Sequence, residues 1–528
     1  MNPNRRDLLK QIMAVSAFPL ANSCGSANTE KKNSDTKSIQ GNGERPSIHN
    51  LRYADLLEQG SIDSISIVEA DPEKLTDLEP VLEDAITNNR PLRVSCGGHG
   101  YIGNSTTNEA NAIIINLAKL NQVEIRKEAD KSFAYIGAGC RFHDIMPIVH
   151  QFNLENHTQF VLPFGSCPTV GISGFTLGGG QGALSPHLGM MCDRVTEMEV
   201  LTYRINSDGT VVTEIVTVNA ENHGDLYRAL LGGTGRFGLV LRFKIELEDI
   251  GAKKLKIIQM GINQQVTEDK AAAIFKNFEL NLIPVLENTT SVKYFIASWT
   301  DFDVKLIGTA KDVEAIESWI KSVVDGEELL TLSSGEFDLA EYTKFYSGCE
   351  INNCKFESYT HNPEYFAAKS VIVPHGAIKK ADLVSALHPI KDGISNGAAF
   401  LQFSRFGGRI TEEGKRGLNY FPHRNPGWEI QVYVKKNVSD CSFNYDGVLD
   451  DLVARLNVPG HGSYFNHLNK DVEGILSDAN IQKQYFGSNW GALQEVKKLY
   501  DPKGVFETFK AAISDSEFFC LDTDSEID

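Results

Sequence analysis

Cysteine is scarce in this chain: nine in 528 residues, too few for a fold stapled by many disulfides. Basic charge is short as well. There are 51 Lys and Arg against 69 Asp and Glu, a formal charge of −18, which argues against a nucleic-acid partner, since that would call for a basic surface. The acidic balance says little about substrate, because acidic surfaces mostly serve solubility. The apolar run near the N-terminus, Ile12 to Ala21, is too short to span a bilayer. No internal repeat is found. What is present suits a large core: 41% hydrophobic and 9% aromatic residues are ordinary for a globular protein. The length is more than one domain usually takes and fits two domains sharing a ligand.

The N-terminal 45 residues read as separate material. Asn4-Arg5-Arg6-Asp7-Leu8-Leu9-Lys10, just ahead of the apolar run, resembles a twin-arginine export signal. It predicts a periplasmic or extracellular protein, exported already folded. Leu20-Ala-Asn-Ser-Cys24 leaves lipidation of Cys24 open, and any membrane contact would depend on it. Residues 25–45 hold almost nothing to bury and read as a disordered linker. Cys349 and Cys354 are close enough to pair in an oxidising compartment; a disulfide and two free thiols both stay open.

From about 46 to 250, helices and strands alternate. Leu78, Val81, Leu82, Ala85 and Ile86 form one helical stripe that Thr76 or Asp77 can cap, with Pro80 tolerated in its first turn. Ala112 to Leu117 reads as a buried strand, and Val195 to Arg204 as another, which turns back through Asn206-Ser-Asp-Gly-Thr210. Gly233-Thr-Gly-Arg-Phe-Gly238 fits the dinucleotide pattern G-x-G-x-x-G. That pattern needs a strand before it and a helix after it. Here helical Asp225 to Leu231 comes first and extended Leu239 to Ile245 follows, so a nicotinamide site is not expected. Strands are expected at Ser291 to Trp299, Ala399 to Phe406 and Glu429 to Val434.

Two glycine-rich stretches carry the chemistry. Arg93-Val-Ser-Cys-Gly-Gly-His-Gly-Tyr101 holds His99. Cys167-Pro-Thr-Val-Gly-Ile-Ser-Gly-Phe-Thr-Leu-Gly-Gly-Gly-Gln-Gly182 opens on Cys167. Without Cβ atoms, backbone N–H groups can close on a phosphate or a flat ring. Together with the Leu-Gly-Gly-Gly run, the turn at 233–238 and the ending Tyr485 to Trp490 then Leu499 to Phe506, they resemble the berberine bridge enzyme-like branch of the PCMH-type FAD oxidoreductases, in the vanillyl-alcohol oxidase superfamily.

The resemblance covers roughly 46 to 510 and implies an α+β fold. A two-part FAD-binding domain would span 46–250, and a substrate domain over 251–470 would lay an antiparallel sheet on the flavin. Residues 471–515 would return to the FAD domain, and 516–528 would form an acidic tail. It implies covalent FAD, bonded by His99 at the 8α-methyl and by Cys167 at C6. The cofactor loops would be Ser95, Cys96, Gly97, Gly98 and Gly100, then Val170, Gly171, Gly174, Gly178, Gly179 and Gly182, with Val240, Tyr485 and Asn489 completing the set.

The activity implied is hydride transfer from an alcohol or carbohydrate-type substrate to flavin N5, then reduction of dioxygen to hydrogen peroxide. Val170 stands where a small residue goes with oxidases. Tyr101 and Gln431 match substrate-facing positions, and Tyr464-Phe-Asn-His467 matches Tyr-x-Asn-Tyr with His467 in the last place. In sugar-oxidising relatives that last Tyr is the base. Histidine can abstract a proton near neutral pH, so His467 is the expected base, with Tyr464 beside it. Ser95 replaces a usual Arg, Gln181 a frequent aromatic and Arg236 a frequent Asn. These departures leave a tailoring oxidoreductase or a dehydrogenase on the same fold open, and a non-catalytic binding protein after them. No metal is expected, because His461 and His467 lack further ligands at suitable spacing.

Overall fold

The computed structural model describes residues 48–53, 65–107, 109–262, 266–297, 302–323, 330–354, 363–391, 398–436, 443–469 and 474–509. The export signal, Cys24, the linker and the acidic tail lie outside these. Among the described residues no helix is long and apolar enough to cross a membrane.

The first half is built on two sheets. β1 (Ser66–Glu69), β2 (Leu92–Ser95) and β3 (Ile113–Asn116) form a parallel sheet in the order β1-β3-β2. β3 lies in the middle and is buried along its whole length, which is why Ile-Ile-Ile reads as a continuous apolar run rather than an alternation. The helix Leu78–Thr87 buries the expected stripe. No side chain caps it, however. The 3₁₀ turn Leu75–Asp77 runs directly into it, so Asp77 is already helical in φ and ψ and its carboxylate is not placed over the first amides.

β4 (Val123–Glu128), β5 (Lys131–Gly137), β6 (Phe160–Val161), β7 (Val195–Ile205), β8 (Val211–Asn219) and β9 (Leu239–Asp249) make the second sheet, in the order β4-β5-β9-β7-β8 with β6 on β9. The helix Gly224–Gly233 precedes β9, so the 233–238 glycines lie between helix and strand in the order that a nicotinamide fingerprint does not have. The final helix, Trp490–Tyr500, is tied back to this half. Asp501 takes hydrogen bonds from Tyr203 Oη at 2.6 Å and Lys497 Nζ at 2.6 Å, and Lys497 also donates to the carbonyls of Arg236 and Phe506.

The second half is one antiparallel sheet of seven strands: β10 (Lys256–Ile262), β11 (Ser291–Ala297), β12 (Phe302–Gly308), β13 (Leu330–Glu336), β14 (Tyr365–Val373), β15 (Ala398–Phe406) and β16 (Gly427–Lys436). Their order is β13-β10-β12-β11-β15-β16-β14. Successive side chains of a strand point to opposite faces. Trp428, Ile430, Val432 and Val434 pack with the helices Glu268–Asn277, Ala310–Val323, Lys380–Lys391 and Tyr445–Leu456 in a core of their own. Glu429, Gln431 and Tyr433 take the other face, toward the first half. Arg424 clamps the halves together with a forked pair of 2.8 Å bonds to both oxygens of Asp193. Cys349 and Cys354 form a disulfide, which closes the question that their spacing left open.

A second tie between the halves titrates. His187 is 2% exposed, and its Nε2 donates to the Ile307 carbonyl at 3.1 Å. Burial pushes its imidazole down to about 4, against a usual value of about 6.5. Between these values the unfolded chain binds a proton that the folded protein does not. Stability from this group is therefore whole above about pH 6.5 and is lost as pH falls toward about 4. The loss is expected to be on the order of 3 kcal/mol. Urea unfolding at about pH 7 and about pH 5 is expected to show a shallower acid loss for His187→Gln, which keeps a donor but does not titrate; equal slopes in both proteins would assign the acid sensitivity elsewhere.

Candidate active site

The two glycine-rich loops meet backbone to backbone. A Cβ on Gly97 would lie 2.4 Å from the Gly171 nitrogen, and one on Gly171 would lie 2.2 Å from Cys96 Sγ. No larger residue fits at either place. His99, just after the positive-φ Gly98, reaches across this seam, with Nε2 2.8 Å from Thr169 Oγ1. His49 stacks on its ring at 4.1 Å. Half-buried Cys167 sits at the turn closed by Val170 N to Cys167 O, and Val170 packs at the edge of the first core. Neither Thr169 nor His49 stood out in the sequence.

The other expected cofactor residues fall into groups. Ser95 ends β2, and its Oγ, with those of Thr106 and Thr176, is buried without a hydrogen-bond partner among the described residues. Buried hydroxyls without partners are rare and ask for an explanation. Three of them flanking two loops of closely packed backbone suit the diphosphate and ring edge of FAD, so the residues present fit that group. Gly178, Gly179 and Gly182 owe their lack of a side chain to protein neighbours instead. A Cβ there would strike Asn466 Oδ1, the Phe421 ring and the Pro163 carbonyl. Gly174 has nothing within 4 Å of a Cβ. The Val240 side chain is buried in the first core, which leaves only its backbone for a cofactor. Tyr485 is buried beside Phe465. Asn489 uses its amide to hold the Tyr420 carbonyl at 2.9 Å.

Facing the loops from the seven-stranded sheet is a polar cluster. Tyr101 stacks on His467 with ring centroids 5.3 Å apart and planes 6° from parallel. Gln431 Nε2 donates to Tyr101 Oη at 2.7 Å. Burial first, then the neighbouring Cys167 and Glu429, push the Tyr101 phenol well above its usual range. It therefore holds its proton at neutral pH.

His467 Nδ1 lies 2.9 Å from Glu429 Oε1, which also accepts from Ser370 Oγ at 2.9 Å. A carboxylate only accepts, so this contact needs the ring proton on Nδ1 and directs Nε2 away from Glu429. Glu429 is fully buried, and its Oε2 has no hydrogen-bond partner among the described residues. Glu429 was missed in the sequence. Its place two residues before Gln431, and so on the same face of β16, was the available signal.

Tyr464 lies edge-on to His467 as expected, with ring centroids 5.1 Å apart, while its hydroxyl is engaged on the other loop. Its oxygen takes bonds from the amides of Gly180 at 3.0 Å and Gln181 at 2.8 Å, and from Asn466 Nδ2 at 2.9 Å. Three donors already converge there, and burial raises the phenol far above its usual range. Tyr464 is an anchor that pins the Gly-Gly-Gly-Gln loop to the roof sheet. The remaining histidine of that stretch, His461, faces Gln484.

The comparisons with known proteins agree with this construction. The FAD binding domain family matches residues 68–213, and the family described as berberine and berberine like matches 463–512. Berberine bridge enzyme-like 19 of Arabidopsis thaliana is 23% identical over 452 residues, 80% of this chain and 74% of that protein. An uncharacterized FAD-linked oxidoreductase of Bacillus subtilis, YgaK, is 33% identical over 160 residues, 30% of this chain and 32% of that protein. Among solved structures, Physcomitrella patens BBE-like 1 superposes with a TM-score of 0.69 at 22% identity, covering 89% of this chain and 94% of that one. The glucooligosaccharide oxidase of Acremonium strictum gives 0.69 at 21%, with the same coverage. At such identities the superpositions carry the fold. With both family segments present in order, and relatives aligned along four fifths of its length, the chain is similar to the berberine bridge enzyme-like FAD-linked oxidoreductases.

Proposed function

We propose that the chain is an oxidase of alcohol or carbohydrate-type substrates, with FAD held covalently by His99 and Cys167 and with dioxygen as electron acceptor. The observation that carries this reading is the His467–Glu429 pair, stacked against Tyr101 on the face opposite the two loops. FAD, when bound, accepts the hydride of the substrate carbon and returns both electrons to dioxygen, giving hydrogen peroxide. The chain's own work is on the proton and the geometry. His467 Nε2 takes the proton of the substrate hydroxyl while Glu429 holds Nδ1–H and steadies the charge that develops on the ring. Tyr101, fixed by Gln431, orients the substrate oxygen. Tyr464 and Asn466 keep the loop at 178–182 pressed to the roof and limit water at the site. Small Val170 leaves the loop passable for dioxygen. The glucooligosaccharide and chitooligosaccharide oxidases among the superposed structures support a carbohydrate-type substrate.

A second reading is a tailoring oxidoreductase acting on a secondary metabolite. His467 in place of the Tyr of the sugar enzymes favours it, as does a 23% identical Cannabis sativa relative called cannabidiolic acid synthase-like 1. The Arg5-Arg6 sequence places either enzyme outside the cytoplasm in this proposal. Anaerobic mixing of the yellow protein with a panel of aldoses and primary alcohols tests the oxidase. Bleaching by at least one of them is expected, with colour regained in air and one hydrogen peroxide released per turnover. Bleaching that air does not reverse would make the protein a dehydrogenase. No bleaching by any of the panel would move the assignment to the second reading.

A further inference from the structure

One charged group in the site has no part in this chemistry. Lys293, on β11, points to the same side of the sheet as Glu429, since its neighbours Val292 and Tyr294 fill the helix-covered core. The register sets Lys305, Lys293, Ser404 and Glu429 in one row across β12, β11, β15 and β16. Two lysines stand directly opposite each other in it, an arrangement that is unfavourable for like charges. Lys305 is satisfied by the Phe345 carbonyl at 2.7 Å. Lys293 has neither a hydrogen bond nor an ion pair among the described residues; its Nζ lies 5.9 Å from the ring centre of Tyr346. Burial lowers its pKa, whereas Cys167 and then Glu429 raise it. Lys293 is half-buried, and an ammonium drawn partly out of water without an ion-pair partner among the described residues is disfavoured, since such groups are normally paired.

We propose that Lys293 is the recognition site for a carboxylate carried by the substrate. Two strand spacings, about 10 Å between Cα atoms, separate it from Glu429. The acid and the reacting hydroxyl therefore sit on different carbons, as in a uronic acid or a larger hydroxy acid. The word substrate rests on the oxidase reading above; the anion site itself does not.

The test is done on the flavin-loaded protein, by calorimetry and by the shift of the flavin absorption band. A hexuronate is titrated against the matching hexose, and acetate against acetamide. A charge-assisted hydrogen bond gives about 10- to 100-fold in affinity. The acids are expected to bind tighter than their neutral partners by that factor, less so at high salt. Lys293→Met is expected to abolish the difference without changing affinity for the neutral partners, and Lys293→Arg to retain most of it. Equal binding of acids and neutral partners by the unmutated protein overturns the proposal, whether or not the Met variant folds. A lysine serving the flavin ring would give that result together with a shifted flavin potential in the Met variant. Anaerobic bleaching separates this proposal from the oxidase reading. Acid preference that depends on Lys293, with no bleaching by any compound, keeps the anion site and removes the oxidase; bleaching by neutral sugars without acid preference does the reverse.

Discussion

Replacing Glu429 with Gln is expected to slow anaerobic flavin reduction by about 100- to 10,000-fold while leaving the protein yellow. The carboxylate does two things that the amide cannot. It accepts the His467 Nδ1 proton, so that Nε2 is the nitrogen with the lone pair, and it steadies the imidazolium formed when Nε2 takes the substrate proton. An amide can turn its NH₂ toward Nδ1, and that would place the ring proton on Nε2, the wrong nitrogen for a base. Ser370, at 2.9 Å from the same oxygen, can still satisfy the new side chain, so the fold is expected to hold. His467→Ala is expected to cost about as much, and the double variant little more, because the two residues act as a unit. A role in packing alone would lower stability and leave the pH profile of reduction unchanged. Loss of the pH dependence of reduction, with an unchanged urea midpoint, identifies the dyad as the base.

The flavin linkages give the other large effect. His99→Ala and Cys167→Ala are each expected to keep flavin fluorescence on a denaturing gel, and the double variant to lose essentially all of it. The seam between the loops is the reason that one bond would suffice to hold the ring in the proposed linkage. Gly97 and Gly171 pack at backbone distance, so both attachment points are held by the same rigid contact whichever of them has reacted. Thr169→Val removes the partner of His99 Nε2 and is expected to slow attachment at His99 selectively, seen as a delayed histidyl-flavin peptide in the Cys167→Ala background. Flavin that washes out of the unmutated protein on denaturation would break the covalent assignment and leave noncovalent FAD.

Some of this was legible before any fold was known. The order helix, glycines, strand around 233–238 excluded a nicotinamide fingerprint because it is a matter of sequence order alone. Glu429 to Val434 was legible as a strand, and the glycines of the two loops as places where backbone can approach a ligand; that the loops also pack on each other was not. Tyr464 does lie beside His467, but the sequence could not show that its oxygen is held by amides 284 and 283 positions away. The cap at Thr76 or Asp77 failed for a local reason: a 3₁₀ turn leads into the helix and denies the side chain its angle.

By itself, then, the sequence determined the two candidate attachment side chains, the loops that present them and the strand carrying Gln431, because these depend on local conformational freedom and short-range pattern. Only the tertiary structure decided which groups meet. His467 finds Glu429, 38 residues away, and Lys293 is set in the same cross-strand row as Glu429 without an ion pair among the described residues. Cys349 closes on Cys354. A side-chain period tells which face a residue takes but is silent on what lies across from it, which is set by strand register and by the packing of two separately formed cores.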